Sequence, residues 1–383
     1  MLFRSFIYMD HAAATPVDRT VFAAMQPYFA DNFYNPSAIY LAARAVKQDV
    51  NAARAEVAKV IGAKPSEIIF TPGGTEANNL AIAGIMRKYP NSNCVIASTE
   101  HESIQQVAAR FAYKEAMVDA QGVIDIASLT KVIGPKTVLV SVAYANSEIG
   151  TIQPLTQISK LVQSIRQQRK QQGNSLPLYL HTDASQAACY LDMHVHKLGV
   201  DLLTLNGGKM YGPKQSGALY VKTGIDLSPF ILGGGQEANV RSGTENVPAI
   251  IGFARALHIA HQQAKNETTR MLKLQAYFID ALQKTFPNSA INGSLKHRLP
   301  NNVHVTLPGI DNERVVMELD ERGIMCATGS ACSASSEKPS KVLEAIGLSH
   351  DESRASLRFT MGRSTTTAQI DKTMAALSKI LHQ

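Results

Sequence analysis

Four short stretches of the 383-residue chain carry side chains whose types and spacing suit chemistry on a shared ligand. In Ile68-Ile-Phe-Thr-Pro-Gly-Gly-Thr-Glu-Ala-Asn78 an apolar run meets a small-residue turn, and the helical pattern that follows opens on Gly74, Thr75 and Glu76. Such a helix start offers unpaired backbone N–H groups and a hydroxyl, a combination that takes phosphate. The same kind of turn also caps helices that bind nothing. In Leu178-Tyr-Leu-His-Thr-Asp-Ala-Ser-Gln-Ala187 an apolar run ends on Asp183, with Gln186 three residues on. A carboxylate at the carboxyl end of a parallel strand sits where such sheets place ligands. Against a pyridine ring it keeps the nitrogen protonated and makes the ring an electron sink, while Gln186 can donate to a phenolic oxygen. The plainer alternative is that Asp183 caps the next helix.

The third stretch, Leu203-Thr-Leu-Asn-Gly-Gly-Lys-Met-Tyr-Gly-Pro-Lys214, sets Lys209 in a glycine-rich turn directly after an apolar run. A desolvated lysine amine can form a Schiff base, although a lone lysine in such a turn is commonly a surface residue. The order of phosphate turn, Asp-x-x-Gln and then Lys favours a single ligand. The fourth stretch puts Cys332 between Gly329-Ser-Ala and Ser-Ala-Ser-Ser. A loop of small residues suits a thiolate that has to move in order to react.

Positioning these groups requires a sheet. Helical patterns near 39–61, from Thr75, and near 155–172 alternate with short apolar runs at Glu67–Phe70, Cys94–Ala97, Val138–Ala143 and Leu178–His181. This is the rhythm of a parallel sheet wrapped by helices. Leu202–Leu205 and Gly217–Val221 flank the lysine turn, the second suited to an antiparallel neighbour. The expected fold class is α/β, a large domain with a mainly parallel sheet flanked by helices plus a smaller α+β C-terminal domain. The large domain is expected over 14–253, and the small one over 1–13 and 254–383. The small one reads as a long helix from 254 to Lys284, a strand Asn302–Thr306, helices near 311–322 and 339–346, a strand Ser356–Phe359 and a helix from Thr367.

Composition narrows the function classes. With 45% hydrophobic residues the chain can bury a large core, so disorder is excluded for most of it. The net charge of +7 is scattered, with no basic stripe or aromatic platform, so no direct nucleic-acid partner is expected. No stretch approaches the ~20 apolar residues of a membrane span, and the N-terminus lacks a signal-peptide pattern. Cys94, Cys189, Cys326 and Cys332 form neither a C-x-x-C pair nor a metal-ligand spacing. No metal and no disulfide are expected, and a cytoplasmic location is. The first three cysteines read as small core residues.

Ten stretches, in order along essentially the whole chain, resemble those of cysteine desulfurases of the NifS/IscS type, class V aminotransferases among the fold-type I pyridoxal-phosphate enzymes. They are Met9-Asp-His-Ala-Ala-Ala-Thr-Pro16, Asn35-Pro-Ser37, Thr71-Pro-Gly-Gly-Thr-Glu-Ala-Asn-Asn-Leu80, Thr99-Glu-His-Glu102, Asn146-Ser-Glu-Ile-Gly150, His181-Thr-Asp-Ala-Ser-Gln186, Lys209-x-Tyr-Gly-Pro-Lys214, Arg241-Ser-Gly-Thr244, Gly329-Ser-Ala-Cys-Ser-Ala334 and Leu357-Arg-Phe359. The resemblance implies conversion of L-cysteine to L-alanine with pyridoxal 5'-phosphate, the sulfur leaving as a persulfide on Cys332. It implies that Lys209 holds the cofactor and shuttles the Cα proton, and that His101 stacks on the ring and acts as acid and base. Asp183 would hold the pyridine nitrogen, and Gln186 and Asn146 would serve the ring oxygen. Gly74, Thr75 and Asn206 would serve the phosphate, with Thr244 reaching it from the partner subunit of a homodimer. Arg358, assisted by Asn35, would clamp the substrate carboxylate. An iron–sulfur scaffold protein or a tRNA-thiolating enzyme would accept the sulfur.

The chain departs from the family pattern at four places. Asn206-Gly-Gly-Lys209 stands where the family has Ser-Gly-His-Lys, Ser147 where it has a second asparagine, Tyr40 for a histidine and Ala43 for a glycine. The first alters two side-chain partners of the phosphate. Two alternatives stay open on the sequence: a selenocysteine lyase or aminotransferase on the same scaffold, and a weakened scaffold that only binds sulfur-relay partners. The joint presence of Lys209, His101, Asp183, Gln186, Cys332 and Arg358 speaks against the second.

Overall fold

The computed structural model describes residues 6–329 and 340–382. A short strand, β1 (Ile7–Tyr8), precedes the central sheet of β2 (Ile68–Thr71), β3 (Asn93–Ala97), β4 (Tyr113–Ala116), β5 (Thr137–Ser141), β6 (Tyr179–Asp183), β7 (Leu202–Asn206) and β8 (Gly217–Val221). Their order across the sheet is β2-β8-β7-β6-β5-β3-β4. All run parallel except β8, which is antiparallel to both β7 and β2. Every residue of β2, β5 and β8 is buried, as expected of strands covered by helices on both faces.

β9 (Ala290–Ile291), β10 (Asn302–Thr306) and β12 (Ser356–Thr360) make a second, antiparallel sheet in the order β12-β10-β9, while β11 (Ile324–Met325) pairs with β1. The N-terminal stretch joins this part, since Asp10 bridges to Thr360 beside β12. One hydrophobic cluster on the central sheet runs through Ala260 and also takes in Leu343 and Ile346, a second lies on the same sheet around Ala77–Met86, and another gathers Ile7, Met9 and residues from Met271 to Ile380.

The helices follow from their apolar spacing. In Leu41–Ile61 the buried residues Ala43, Val46, Val50, Ala53, Val57 and Ile61 fall three or four apart, with Ala58 beside them, one face of a helix. Gly62 ends it at φ +69°, where a Cβ would come within 2.3 Å of the His194 ring. The long helix expected from 254 begins earlier, at Val247, capped by the Asn246 side chain with proline in its first turn, and runs unbroken to Thr285. Among the described residues no helix is long and apolar enough to cross a membrane, and no group of His, Cys, Asp and Glu is arranged to hold a metal ion.

Candidate active site

A cavity of about 440 Å³ opens at the carboxyl ends of the parallel strands, where open α/β sheets place their ligands. It gathers Gly74, Thr75, His101, Asn146, Asp183, Gln186, Asn206, Lys209 and Arg358 from six separate chain segments.

Each side chain is placed by the end of a strand or the start of a helix. Lys209 closes the short 3-10 turn after β7, and its Nζ donates to the carbonyls of Ala12 at 2.7 Å and Ala13 at 2.6 Å. Gln186 Nε2 also donates to Ala12 O, at 3.1 Å, so Ala12 and Ala13 of the N-terminal stretch line the cavity. Gly207, two residues before the lysine, has no room for a side chain: a Cβ would lie 2.1 Å from Ser216 Oγ.

Asp183 terminates β6 with both oxygens held, Oδ1 by Ser185 N at 2.9 Å and Oδ2 by Asn78 Nδ2 at 2.7 Å. The same Nδ2 donates to Ser103 Oγ at 2.9 Å. His101 caps the Glu102–Ala108 helix by accepting from Ser103 N at Nδ1, 3.0 Å, so the neutral ring carries its proton on Nε2. Asn78 thereby ties the support of the imidazole to that of the carboxylate. Glu100 is fully buried beside them, with Oε1 accepting from Ala143 N at 2.7 Å. Burial, reinforced by the charge of Asp183, raises its pKa well above the usual carboxylate range.

The helix Gly74–Lys88 opens into the cavity with Gly74 and Thr75, and its first amides have no partner within the helix. A Cβ on Gly74 would lie 3.0 Å from Ser185 Oγ and 3.4 Å from Asn206 Nδ2, so a hydroxyl and an amide flank the helix start. Asn206 Oδ1 accepts from Gly208 N at 3.1 Å, leaving Nδ2 as the donor. On the opposite wall Arg358, 2% exposed, donates from Nη2 to Asp10 Oδ1 at 2.7 Å and from Nη1 to the Ser147 carbonyl at 3.2 Å. Asn146 is chiefly a brace: Oδ1 accepts from Glu148 N and Ile149 N, and Nδ2 donates to Thr99 O.

Two of the expected site residues lie elsewhere. Asn35 is exposed, its Oδ1 taken by Ser37 N, and it does not line the cavity. Thr244 lines a second cavity of about 340 Å³ with Thr71, Glu237 and Arg241. Cys332 lies outside the described residues. The chain leaves the described part at Gly329, where a Cβ would come within 2.9 Å of Glu148 Oε1, and resumes at Ser340, which lines the cavity. Burial pushes the thiols of Cys94, Cys189 and Cys326 up to about 12, so none of these three is a ready nucleophile. Asp10, Asn78, Glu100, Ser103, Glu148 and Ser185 were not singled out from the sequence. Their only signal is that polar residues stand inside otherwise apolar or motif-bearing stretches.

This donor set fits pyridoxal 5'-phosphate. Asp183 offers a carboxylate to a protonated pyridine nitrogen, Lys209 an amine for covalent attachment, and the Gly74–Thr75 helix start its amides and hydroxyl to a phosphate. Sequence and fold comparisons agree with the geometry. The model of the family described as Aminotransferase class-V matches residues 7–373. A cysteine desulfurase IscS of Dictyoglomus turgidum is 37% identical, over 98% of this chain and 95% of its own. A solved structure described as a NifS-like protein superposes with a TM-score of 0.90 at 29% identity, covering 98% of this chain and 99% of the other. Another, described as SspA in complex with cysteine, gives 0.80 at 33% identity over 93% and 98%. With its lysine, its carboxylate-bearing strand end and its phosphate-ready helix start in one cavity, the chain belongs to the class-V aminotransferase family.

Proposed function

We propose that this protein is a pyridoxal-phosphate-dependent cysteine desulfurase, converting L-cysteine to L-alanine and carrying the sulfur on Cys332 as a persulfide. The observation that carries the reading is the meeting of Lys209, Asp183, His101 and the Gly74–Thr75 helix start with a buried arginine, Arg358, in one cavity.

On this reading pyridoxal phosphate supplies the electron sink that lets the Cα–H and then the Cβ–S bond of cysteine break. Asp183 holds the pyridine nitrogen protonated, and the N–H donors of Ser185 and Asn78 fix its orientation. Thr75, Ser185 and Asn206 receive the phosphate beside the helix start. Gln186 and Asn146 each keep one amide hydrogen for the ring oxygen. Lys209 attaches the cofactor and moves the Cα proton, and His101 exchanges protons with the substrate amine and thiol through Nε2. Arg358 receives the substrate carboxylate; Asn35, exposed and away from the cavity, takes no part in it here. Cys332 thiolate then attacks the substrate sulfur: an S–S bond forms, the Cβ–S bond breaks, its electron pair stays with Cβ, and protonation there gives alanine. Of the two residues that flank the Cys332 segment, Ser340 lines this cavity and Gly329 lies against Glu148, which also lines it.

The same reading makes the protein a homodimer in which Thr244 serves the partner's phosphate. Its support is that Thr244 is away from its own chain's cavity, and that Phe33, Ile39 and Leu41 leave an exposed apolar stretch. Two domains, 14–253 and 1–13 with 254–383, are supported by the separate cluster of Ile7, Met9 and residues from Met271 to Ile380, although Ala254–Ala260, Leu343 and Ile346 pack with the central sheet. The persulfide passes to a scaffold protein of iron–sulfur assembly or a tRNA-thiolating enzyme, in the cytoplasm.

The deciding experiment records absorbance of the purified protein with and without L-cysteine, then assays alanine and sulfide for wild type and Cys332→Ala. A yellow protein whose variant loses sulfide release supports the reading. A colourless protein that pyridoxal phosphate cannot reconstitute sinks it.

A further inference from the structure

Three buried polar atoms beside the proposed carboxylate site have no hydrogen-bond partner: Arg358 Nε, Glu148 Oε1 and His304 Nε2. They belong to neighbours. His304 on β10 and Arg358 on β12 are paired across the antiparallel sheet, which puts their side chains on one face, and His304 Nε2 lies 3.9 Å from Glu148 Oε1. Glu148 is 1% and His304 0% exposed, so bulk solvent does not serve them.

The donor and acceptor roles can be assigned. Asn292 Nδ2 reaches both His304 Nδ1 at 2.9 Å and Thr306 Oγ1 at 2.7 Å, which makes Nδ1 an acceptor and leaves the proton on Nε2. Arginine Nε is always a donor. Two N–H donors and one carboxyl oxygen of Glu148, whose pKa burial raises against the Ser340 hydrogen bond and the Arg358 charge, are thus left unpaired, the complement of a water molecule that accepts twice and donates once. A separation of 3.9 Å is too long for a direct hydrogen bond, but a water ~2.8 Å from each atom spans it.

We propose that Glu148 and His304 hold a buried water against Arg358 Nε, and that Glu148 is through it a positioning residue for the substrate carboxylate. The water fixes the third corner of a guanidinium whose other two corners are held by Asp10 and the Ser147 carbonyl. With all three corners set, the remaining Nη hydrogens face the cavity in one orientation, and a carboxylate meets a preformed fork. Removing Glu148 frees the guanidinium to turn toward whichever acceptor remains. The inference rests on the reading that Arg358 takes the carboxylate.

The test is a double-mutant cycle on the holoenzyme, read by titrating the cofactor absorbance with S-methyl-L-cysteine, which keeps the amine and carboxylate but lacks a free thiol. Glu148→Ala is expected to weaken binding ~10-fold, Glu148→Gln, whose oxygen still accepts, to restore most of it, and Glu148→Ala to add nothing in an Arg358→Ala background. A Glu148→Ala variant that binds like wild type, or loses equally in the Arg358→Ala background, overturns the proposal. An Arg358→Ala variant that itself binds normally overturns instead the reading of Arg358 as the carboxylate clamp. Should Glu148→Ala not fold, His304→Ala takes its place in the same cycle, with the same expected non-additivity and the same overturning results.

Discussion

Arg358 Nη2 donates to Asp10 Oδ1 at 2.7 Å, an ion pair joining β12, an edge strand of the three-stranded sheet, to a residue 348 positions earlier. The pair orients the guanidinium rather than neutralising it, because Arg358 has further donors. Asp10→Asn keeps the shape but weakens a charged hydrogen bond of about 1.5–3 kcal/mol. KM for L-cysteine is expected to rise ~10–100-fold, with kcat falling less. Steady-state kinetics showing the loss in kcat alone would place Asp10 in chemistry instead of binding.

Ser185 stands where the missing phosphate partners of the lysine turn leave a need. Ser185→Ala removes one hydroxyl beside Gly74 and is expected to weaken pyridoxal phosphate ~3–10-fold, the size of one net hydrogen bond. Spectral titration of the apoprotein checks this. Unchanged affinity would mean that the hydroxyl only packs against the turn.

Gly207→Ala drives a methyl to 2.1 Å from Ser216 Oγ, whose hydroxyl donates to Pro213 O at 2.6 Å. Overpacking of this kind costs about 1–3 kcal/mol, and the turn carrying Lys209 has to shift. The denaturation midpoint should fall and the cofactor absorbance weaken. A Gly207→Ala, Ser216→Ala double variant should recover part of both. No recovery would trace the damage to backbone conformation rather than to this clash.

Burial, with the positive charges of Arg298 and Arg358 adding to it, pushes His304 down to about 3. The unfolded chain, with a histidine near 6.5, takes up a proton that the folded chain refuses. Stability from this residue is thus complete above pH 6.5 and is lost as pH falls toward 3, by up to ~1.4 kcal/mol per pH unit. Thermal melts between pH 7 and 4 should show a shallower decline for His304→Asn than for wild type. Parallel curves would mean that another group sets the acid limb.

Much of the sheet was legible because its strands are buried on both faces and read as continuous apolar runs, and the antiparallel turn of Gly217–Val221 followed from the short connection after the lysine. β4 was not legible: Tyr113, Lys114 and Glu115 are exposed on an edge, where polar residues serve as well as apolar ones. The helix from Val247 was placed late although Asn246 and Pro248 mark its start. At the site, Lys209, Asp183, Gln186, Thr75, His101 and Arg358 were legible from motif order and resemblance. Asp10, Glu100 and Glu148 were not, because a carboxylate's burial depends on contacts between distant segments that no local pattern encodes.

The helix Val247–Thr285 is a single rod of 39 residues, roughly 58 Å long at ~1.5 Å per residue. Its first turns lie in the core of the central sheet and its last in the core beneath the smaller one. Tilting one core against the other therefore means bending this strut, and a load applied to the C-terminal half is delivered straight into the sheet that carries Lys209. Heat should melt the two cores together, since neither can unravel its share of the rod without pulling on its neighbour's.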